Sequence, residues 1–261
     1  MDLGIDGKWA LVLGASQGIG EAIARALGEE GCNVIIGARN AESIEALASQ
    51  IRSDYGVEAR PYAIDLTDIG AVSKLCDKIE HEWEVDILLN NTGGPPPSGS
   101  LGVSDDTWSA SVQGLLMTVI RLTESAVKGM VTRGWGRILT IASSGIVQPI
   151  PNLAVSNTVR SAAAGFSKSL SSEVAKHGVT VNMILPGRIN TGRLRDMNNQ
   201  NAERQGISLE ALEQASLATI PAGRFGTPEE FAKVAVFLMS AHSGYVTGSM
   251  VRVDGGLIKG I

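Results

Sequence analysis

The chain has 261 residues, of which 44% are hydrophobic and 19% charged, with a formal net charge of −5. This composition is typical of a globular protein that is long enough to bury a large core. The acidic balance and the scattered basic residues argue against nucleic acid or an anionic membrane surface as the main partner. No apolar run reaches the roughly 18 residues of a membrane helix, and the N-terminal stretch lacks the pattern of a signal peptide. We therefore expect a cytoplasmic protein with no membrane partner.

The two cysteines and three histidines are far apart along the chain. Isolated cysteines in a cytoplasmic protein predict buried free thiols rather than a disulfide. None of the spacings matches a metal-ligand motif, so we expect no metal site.

Apolar runs of strand length alternate with segments of helical period. The strands are predicted at 8–14, 33–37, 58–64, 85–90, 136–142, 179–185 and 249–255. The helices are predicted near 19–30, 41–54, 68–82, 105–132, 153–177 and 228–240. Most strands are apolar throughout, which is typical of strands covered on both faces. This alternation predicts an α/β fold with a doubly wound parallel β-sheet, a Rossmann fold, as one domain over 1–261.

Two segments interrupt the alternation. A Pro/Gly/Ser-rich loop at 93–102 follows the fourth strand, and a long polar, partly helical segment at 187–221 follows the sixth. Both follow the carboxyl ends of strands, where open α/β sheets bind ligands.

A glycine-rich turn joins the first strand to the first helix. It places Gly14, Gly18 and Gly20 where small residues let the backbone approach a pyrophosphate. The following helix would direct its N-terminal N–H groups at that anion. This context predicts a dinucleotide site.

The end of the second strand distinguishes the two nicotinamide dinucleotides. An acidic residue there would bind the ribose 2′-hydroxyl, whereas an arginine would accept a 2′-phosphate. The chain has Ala38 followed by Arg39. This favours NADP as the cofactor, with NAD still possible.

The motifs together resemble the short-chain dehydrogenase/reductase family, especially its 3-oxoacyl-carrier-protein-reductase-like members. The likeness extends from about Lys8 to Gly256 and rests on “GASQGIG” (14–20), “DLTD” (65–68), “NNTG” (90–93), “GRILTIASSG” (136–145), “PGRINT” (186–191), “GRFGTPEE” (223–230) and “VDGG” (253–256).

The resemblance implies a set of cofactor contacts. Asp65 would meet the adenine, Asn91 would lie by the adenine ribose, and Ile189 and Thr191 would lie beside the nicotinamide amide. The full implied set is Gly14, Ser16, Gln17, Gly18, Ile19, Gly20, Arg39, Asp65, Leu66, Asn91, Gly93, Arg160, Pro186, Gly187, Ile189 and Thr191. The resemblance also implies a substrate lid at 187–221, a small carbonyl or alcohol substrate, and a homotetramer or homodimer.

The family catalyses hydride transfer with a serine, a tyrosine and a lysine, often with an asparagine. Ser143 matches the serine by its position at a strand end, and the family spacing then places the tyrosine position at Ser156. The lysine position is Arg160, and the asparagine position is Leu115. The candidate catalytic residues are therefore Ser143, Ser156 and Arg160.

The substitutions at these positions change the available acid–base chemistry. Serine is a far weaker acid than tyrosine, and arginine keeps the positive charge but cannot act as a base. Three interpretations stay open: an oxidoreductase in which Ser143 and Arg160 polarise the carbonyl and Ser156 or a water relays the proton, a non-redox enzyme on the same scaffold, and a nucleotide-binding sensor or structural protein without turnover.

Overall fold

A computed structural model of the protein describes residues 2–260. It contains a seven-stranded sheet in the order β3-β2-β1-β4-β5-β6-β7, and every neighbouring pair is parallel. The strands are β1 (Trp9–Leu13), β2 (Asn33–Ala38), β3 (Ala59–Ala63), β4 (Ile87–Asn90), β5 (Gly136–Ile141), β6 (Val179–Pro186) and β7 (Met250–Val253). The predicted doubly wound α/β fold is confirmed, and all seven predicted strands are present.

Nine α-helices connect and cover the strands in the described part of the chain. They are α1 (Gly18–Glu29), α2 (Ala41–Tyr55), α3 (Ile69–His81), α4 (Asp105–Val112), α5 (Thr118–Arg133), α6 (Ala154–Val174), α7 (Gly192–Gln205), α8 (Leu209–Leu217) and α9 (Pro228–Leu238). The segment 187–221, expected to be partly helical, holds α7 and α8.

The central strands of the sheet are buried on both faces, whereas the edge strands β3 and β7 are partly exposed. One apolar cluster joins the sheet to α1, α2 and α9, with Phe231 fully buried at its centre. A second cluster on the other face joins it to α3 and α5 through residues such as Leu75 and Leu122. Burial on both faces explains why the strand sequences carry so few polar residues.

The prediction of a single helix over 105–132 is wrong in one respect. A π-helical turn, Gln113–Met117, separates α4 from α5. The hydroxyl of Thr118 donates to the carbonyl oxygen of Gln113 at 3.0 Å and to that of Leu66 at 3.1 Å. The turn is therefore tied to the loop that follows β3. Such turns inside helices are rare and frequently lie at functional sites.

Within residues 2–260, no helix is long and apolar enough to cross a membrane, and no group of three or more His, Cys, Asp or Glu residues could hold a metal ion. Cys32 and Cys76 are both free thiols, of which Cys32 is buried and Cys76 only partly so. Burial raises the pKa of the Cys32 thiol to about 12.

Candidate active site

The glycine-rich turn joins β1 to α1. It lies at the carboxyl end of β1, next to β4, where the strand order reverses. Gln17 precedes α1 in an extended conformation and makes no side-chain hydrogen bond to the helix N-terminus. The first-turn N–H groups, including those of Gly18, Ile19 and Gly20, therefore have no side-chain cap. An unsatisfied helix N-terminus at this point suits an anionic group such as a diphosphate.

The turn has no room for side chains at its centre. A Cβ atom at Gly20 would collide with the carbonyl oxygen of Gly14 and would lie 2.9 Å from Asn91 Nδ2. The side chain of Asn91 in turn donates a hydrogen bond to Gly14 O at 3.1 Å. The loops after β1 and β4 are thus joined, and Ser16 and Gln17 lie on the short bridge into α1. The turn forms the bare backbone cradle that a dinucleotide diphosphate needs.

The adenine end of the predicted site is formed by the ends of β2 and β3. Arg39 directly follows β2 and is exposed. Hydrogen bonds from the backbone N–H and hydroxyl of Thr67 lower the pKa of the Asp65 carboxyl, and the Arg39 charge lowers it further. Leu66 is half-buried beside this carboxylate. The arrangement offers a cation at the strand end and a carboxylate held ionised beside it.

The loops after β6 form the opposite wall. Pro186 ends β6, and the N–H of Gly187 donates to Val253 O at 2.9 Å. Ile189 is buried and pairs with Gly226 in an isolated parallel bridge. Thr191 caps α7 through a 3.3 Å hydrogen bond from Leu194 N. Its methyl group would lie 3.3 Å from a Cβ at Gly18. The start of α7 therefore lies next to the glycine-rich turn.

Ser143 lies just beyond β5. Its Oγ accepts a hydrogen bond of 3.0 Å from the N–H of Gly145, and Ser143 thereby caps the short 3-10 turn Ser144–Ile146. A hydroxyl that accepts in this way keeps its own hydrogen free to donate. Ser143 is therefore able to donate to an oxygen atom in the cleft.

Ser156 lies in the first turn of α6 and is 8% exposed. Its hydroxyl has no hydrogen-bond partner among residues 2–260. The next residue, Asn157, holds the preceding loop by donating to Ile150 O at 3.0 Å. The loop geometry therefore does not depend on Ser156, whose hydroxyl is available to a ligand or a water.

Arg160 lies one turn further along α6 and is half-buried. Its Nη1 donates to Ile141 O at 3.0 Å, and its Nη2 donates to Gly93 O at 2.9 Å. Burial, and to a smaller extent the nearby charge of Arg193, lowers the pKa of Arg160 to about 10. Arg160 remains a cation at neutral pH and connects the end of β5 to the loop after β4.

Leu115 occupies the position at which the family often has an asparagine. Its side chain is apolar, and so are the residues around it. Leu115 lies in the π-helical turn and packs with Val155 and Val159 of α6 in a small buried cluster. Trp108 packs against the same cluster. Leu115 therefore offers no hydrogen-bonding side chain to the site at this position.

One residue at this site was missed by sequence reasoning. The guanidinium of Arg193, in the first turn of α7, lies so close to Gly94 that a Cβ atom there would collide with Nη2. The polar composition of 187–221 gave no reason to select this arginine from the others. The signal available in the sequence was its place two residues after Thr191.

Comparison with known proteins gives a consistent family. The family model described as “Enoyl-(Acyl carrier protein) reductase” matches residues 14–258. The 3-oxoacyl-[acyl-carrier-protein] reductase FabG of Escherichia coli (strain K12) is 36% identical over 259 residues, which is 98% of this chain and 99% of the relative.

Solved structures agree with the sequence comparison. L-sorbose reductase from Gluconobacter frateurii, complexed with NADPH and L-sorbose, superimposes with a TM-score of 0.94 at 32% identity over 100% of both chains. YwfH, an NADPH-dependent reductase involved in bacilysin biosynthesis, superimposes with a TM-score of 0.93 at 29% identity over 98% of this chain and 100% of its own. Since the motifs, the strand order and these relatives agree, the chain belongs to the short-chain dehydrogenase/reductase family.

Proposed function

We propose that the protein is an NADP(H)-dependent oxidoreductase that reduces a carbonyl group, with Ser143, Ser156 and Arg160 as its catalytic residues. The observation that carries the proposal is the position of Arg160. Its guanidinium donates to Ile141 O, two residues before Ser143, and to Gly93 O in the loop after β4. The same loop is joined to the glycine-rich turn by the hydrogen bond from Asn91 to Gly14 O.

NADPH fits the cleft as the hydride source. The N-terminus of α1 and the turn from Gly14 to Gly20 would hold the diphosphate, and Arg39 would bind the 2′-phosphate. Asp65, Leu66, Asn91 and Gly93 would line the adenosine half, while Arg160, Pro186, Gly187, Ile189 and Thr191 would line the nicotinamide half. When bound, the cofactor supplies a hydride to the substrate carbon.

The chain's own residues stabilise the charge that develops on the substrate oxygen. The Ser143 hydroxyl donates to that oxygen, because its acceptor side is already occupied by Gly145 N–H. The Arg160 cation lies in a partly dehydrated environment, where its field is stronger than it would be in water. Fixed donors of this type are the larger part of catalysis for reactions that create an oxyanion.

The proton reaches the product oxygen through the Ser156 hydroxyl. Serine does not ionise near neutral pH, so it acts as a relay that takes a proton from water while giving its own to the oxygen. Arg160 keeps its proton and does not act as the acid or base of the reaction. We therefore expect slower proton delivery than a tyrosine with a lowered pKa would provide.

The relatives support this reaction class. Those compared above are reductases of 3-oxoacyl carrier protein and of L-sorbose, and two of the solved structures are described with NADPH or as NADPH-dependent. All act on a carbonyl or are named reductases. We propose a small carbonyl or alcohol as the substrate of this chain as well.

The test combines cofactor binding with turnover. The protein is titrated with NADPH and NADH in a thermal-shift experiment, because a ligand of the native state raises the unfolding temperature. NADPH oxidation is then followed with ketones, aldehydes and oxo acids. Stabilisation by NADPH together with consumption by at least one substrate, and loss of consumption in Arg160→Met, supports the proposal. NADPH binding without turnover across the panel contradicts it and favours a nucleotide sensor, and halide release from halohydrins without nucleotide favours a non-redox enzyme.

Two further features of the site belong to this proposal. We propose that 187–221, with α7 and α8, is the substrate lid of a single domain covering 1–261, since Thr191 at its start lies next to Gly18 of the glycine-rich turn. We also propose a homotetramer or homodimer that packs the helices of 105–132 and 153–177 against a second copy, with C-terminal segments forming a second interface. A groove of about 410 Å³ beside α6, lined by Gly165, Lys168 and the half-exposed Met250, supports this. Light scattering on the purified chain measures the mass directly.

A further inference from the structure

Two arginines lie beside two adjacent glycines, Gly93 and Gly94, in the loop after β4. Arg160 Nη2 donates to the carbonyl oxygen of Gly93, and the guanidinium of Arg193 lies directly against Gly94. Arg160 belongs to α6 and Arg193 belongs to the first turn of α7, within the segment proposed as the lid. The two cations therefore approach the cleft from different elements and meet over the loop that follows β4.

Neither arginine has an acidic partner in the described part of the chain. The ion pairs found there involve other arginines and lysines, such as Arg133 with Asp86 and Arg224 with Glu230. Burial and the charge of Arg193 both lower the pKa of Arg160, and no carboxylate acts in the opposite direction. Arg160 has lost part of its water, whereas Arg193 is exposed, and the two like charges repel each other. An anion at this place would remove the repulsion and use the N–H groups that the protein leaves free.

Gly94 offers bare backbone to the guanidinium of Arg193. A Cβ atom at this position would meet Arg193 Nη2, and the arginine would have to shift. Because the loop offers only backbone here, the two arginines can present their N–H groups to one small group. Guanidinium N–H groups bind a carboxylate through paired, charge-assisted hydrogen bonds.

Resting on the proposed function, we propose that Arg160 and Arg193 together bind a carboxylate of the substrate, so that the enzyme prefers oxo acids to neutral carbonyl compounds. The cofactor's phosphates have other partners available, at the N-terminus of α1 and at Arg39. Arg160 also lines the nicotinamide half, but it donates only two of its five N–H groups to the protein, and the others are available to the carboxylate. The carbonyl of the bound acid would then lie beside Ser143, since Arg160 also donates to Ile141 O at the end of the same strand. Because Arg193 belongs to α7 of the proposed lid, substrate binding and the position of the lid would depend on each other.

The test compares acids with their own esters. The probes are 2-oxobutanoate, acetoacetate and levulinate, which place the carbonyl at increasing distance from the carboxylate, and the methyl ester of each. We expect kcat/KM for the preferred acid to exceed that for its ester by about tenfold or more. In Arg193→Met the advantage should disappear, with the loss in kcat/KM confined to the acid, and Arg193→Lys should recover part of it. Arg195→Met, which removes an exposed arginine of the same helix, is the control and should leave the ratio unchanged.

A second measurement separates this inference from the proposed function and from a role in cofactor binding. Binding of each acid to the protein saturated with NADP⁺ is measured by calorimetry, because no hydride can be transferred in that complex. Binding that is lost in Arg193→Met supports the carboxylate site even if nothing is reduced. Reduction of neutral ketones with no preference for any acid overturns the inference and leaves the oxidoreductase intact. A loss of NADPH affinity in Arg193→Met that lowers kcat/KM equally for acids and esters assigns Arg193 to the cofactor diphosphate and also overturns it.

Discussion

Arg160 Nη2 donates a 2.9 Å hydrogen bond to the carbonyl oxygen of Gly93, which joins helix α6 to the loop after β4. Its other terminal nitrogen binds Ile141 O, so one side chain connects the carboxyl ends of two adjacent strands. A lysine has a single terminal nitrogen with no planar fork, and it would not hold both carbonyl oxygens in this fixed geometry. The arginine at this position is therefore both a charge and a brace for the site.

The first prediction concerns removal of this brace. Arg160→Met should fold, with the free energy of unfolding lowered by about 1–3 kcal/mol, because two carbonyl oxygens lose their donor. The kcat for carbonyl reduction should fall by about 100-fold, since the cation beside the developing oxyanion is lost. Urea denaturation and steady-state kinetics measure the two effects. Arg160→Lys, which keeps the charge, should recover activity more than stability, and equal recovery of both would contradict the double role.

The second prediction rebuilds the family's usual pair. Ser156→Tyr together with Arg160→Lys should supply an ionisable proton donor beside a lysine. The kcat of the double variant should then be higher than that of the native protein and should depend on pH, which the native kcat does not. The kcat is measured from about pH 5 to about pH 10, the range in which such a tyrosine would titrate. The ring needs space next to Val155, which is fully buried, so the double variant should lose about 1–3 kcal/mol of stability. Activity that does not change with pH would show that the rest of the site no longer supports the tyrosine mechanism.

The third prediction concerns the choice of dinucleotide. Arg39→Asp should weaken NADPH binding by about tenfold or more, because it removes the cation proposed for the 2′-phosphate and places a second negative charge near Asp65. NADH binding should improve or stay constant. Fluorescence titration of both cofactors measures the ratio, and Lys74→Met, an exposed cation on α3, is the control. Equal effects of Arg39→Asp on the two cofactors would mean that Arg39 is only a surface charge.

The fold could be predicted because the signal is local and repeated. Strands such as β2, with Val34, Ile35 and Ile36 consecutive and buried, show the continuous apolar pattern of parallel strands. The glycine-rich turn is equally visible, since its constraint is backbone space and only glycine satisfies it. The sequence therefore predicts the cradle around Gly20.

Other features depend on contacts between distant segments. The π-helical turn after Val112 leaves the helical pattern of the sequence almost unchanged, yet it sets Leu115 against α6. The approach of Arg193 to Gly94 joins α7 to the loop after β4, and no periodicity reports it. Arginines in a polar helix are usually solvated, so composition alone could not single out this one.

The last prediction concerns pH and the N-terminus of α9. Arg224 donates to both carboxylate oxygens of Glu230, and Glu230 Oε2 also accepts from Thr227 N at 2.9 Å. These donors lower the pKa of Glu230 from its ordinary value of 4.5 to about 2. A carboxyl with a lowered pKa stabilises the folded state fully above its unfolded pKa, and this contribution is lost as the pH falls from about 4.5 towards 2. The native protein should therefore be more stable than Glu230→Gln at pH 7, and the difference should shrink below pH 4.5.

Thermal or urea unfolding across this pH range measures that difference. Glu229→Gln is the matched control, because Glu229 occupies the same first turn and makes no hydrogen bond within residues 2–260. It should show a smaller difference that reflects only the helix dipole. Added salt should reduce the Glu230 effect, since the pair with Arg224 is exposed and screened, but the bond from Thr227 N–H should survive. A stability difference for Glu230→Gln that is constant from pH 7 to pH 2 would mean that the carboxylate charge contributes nothing and that shape alone caps the helix.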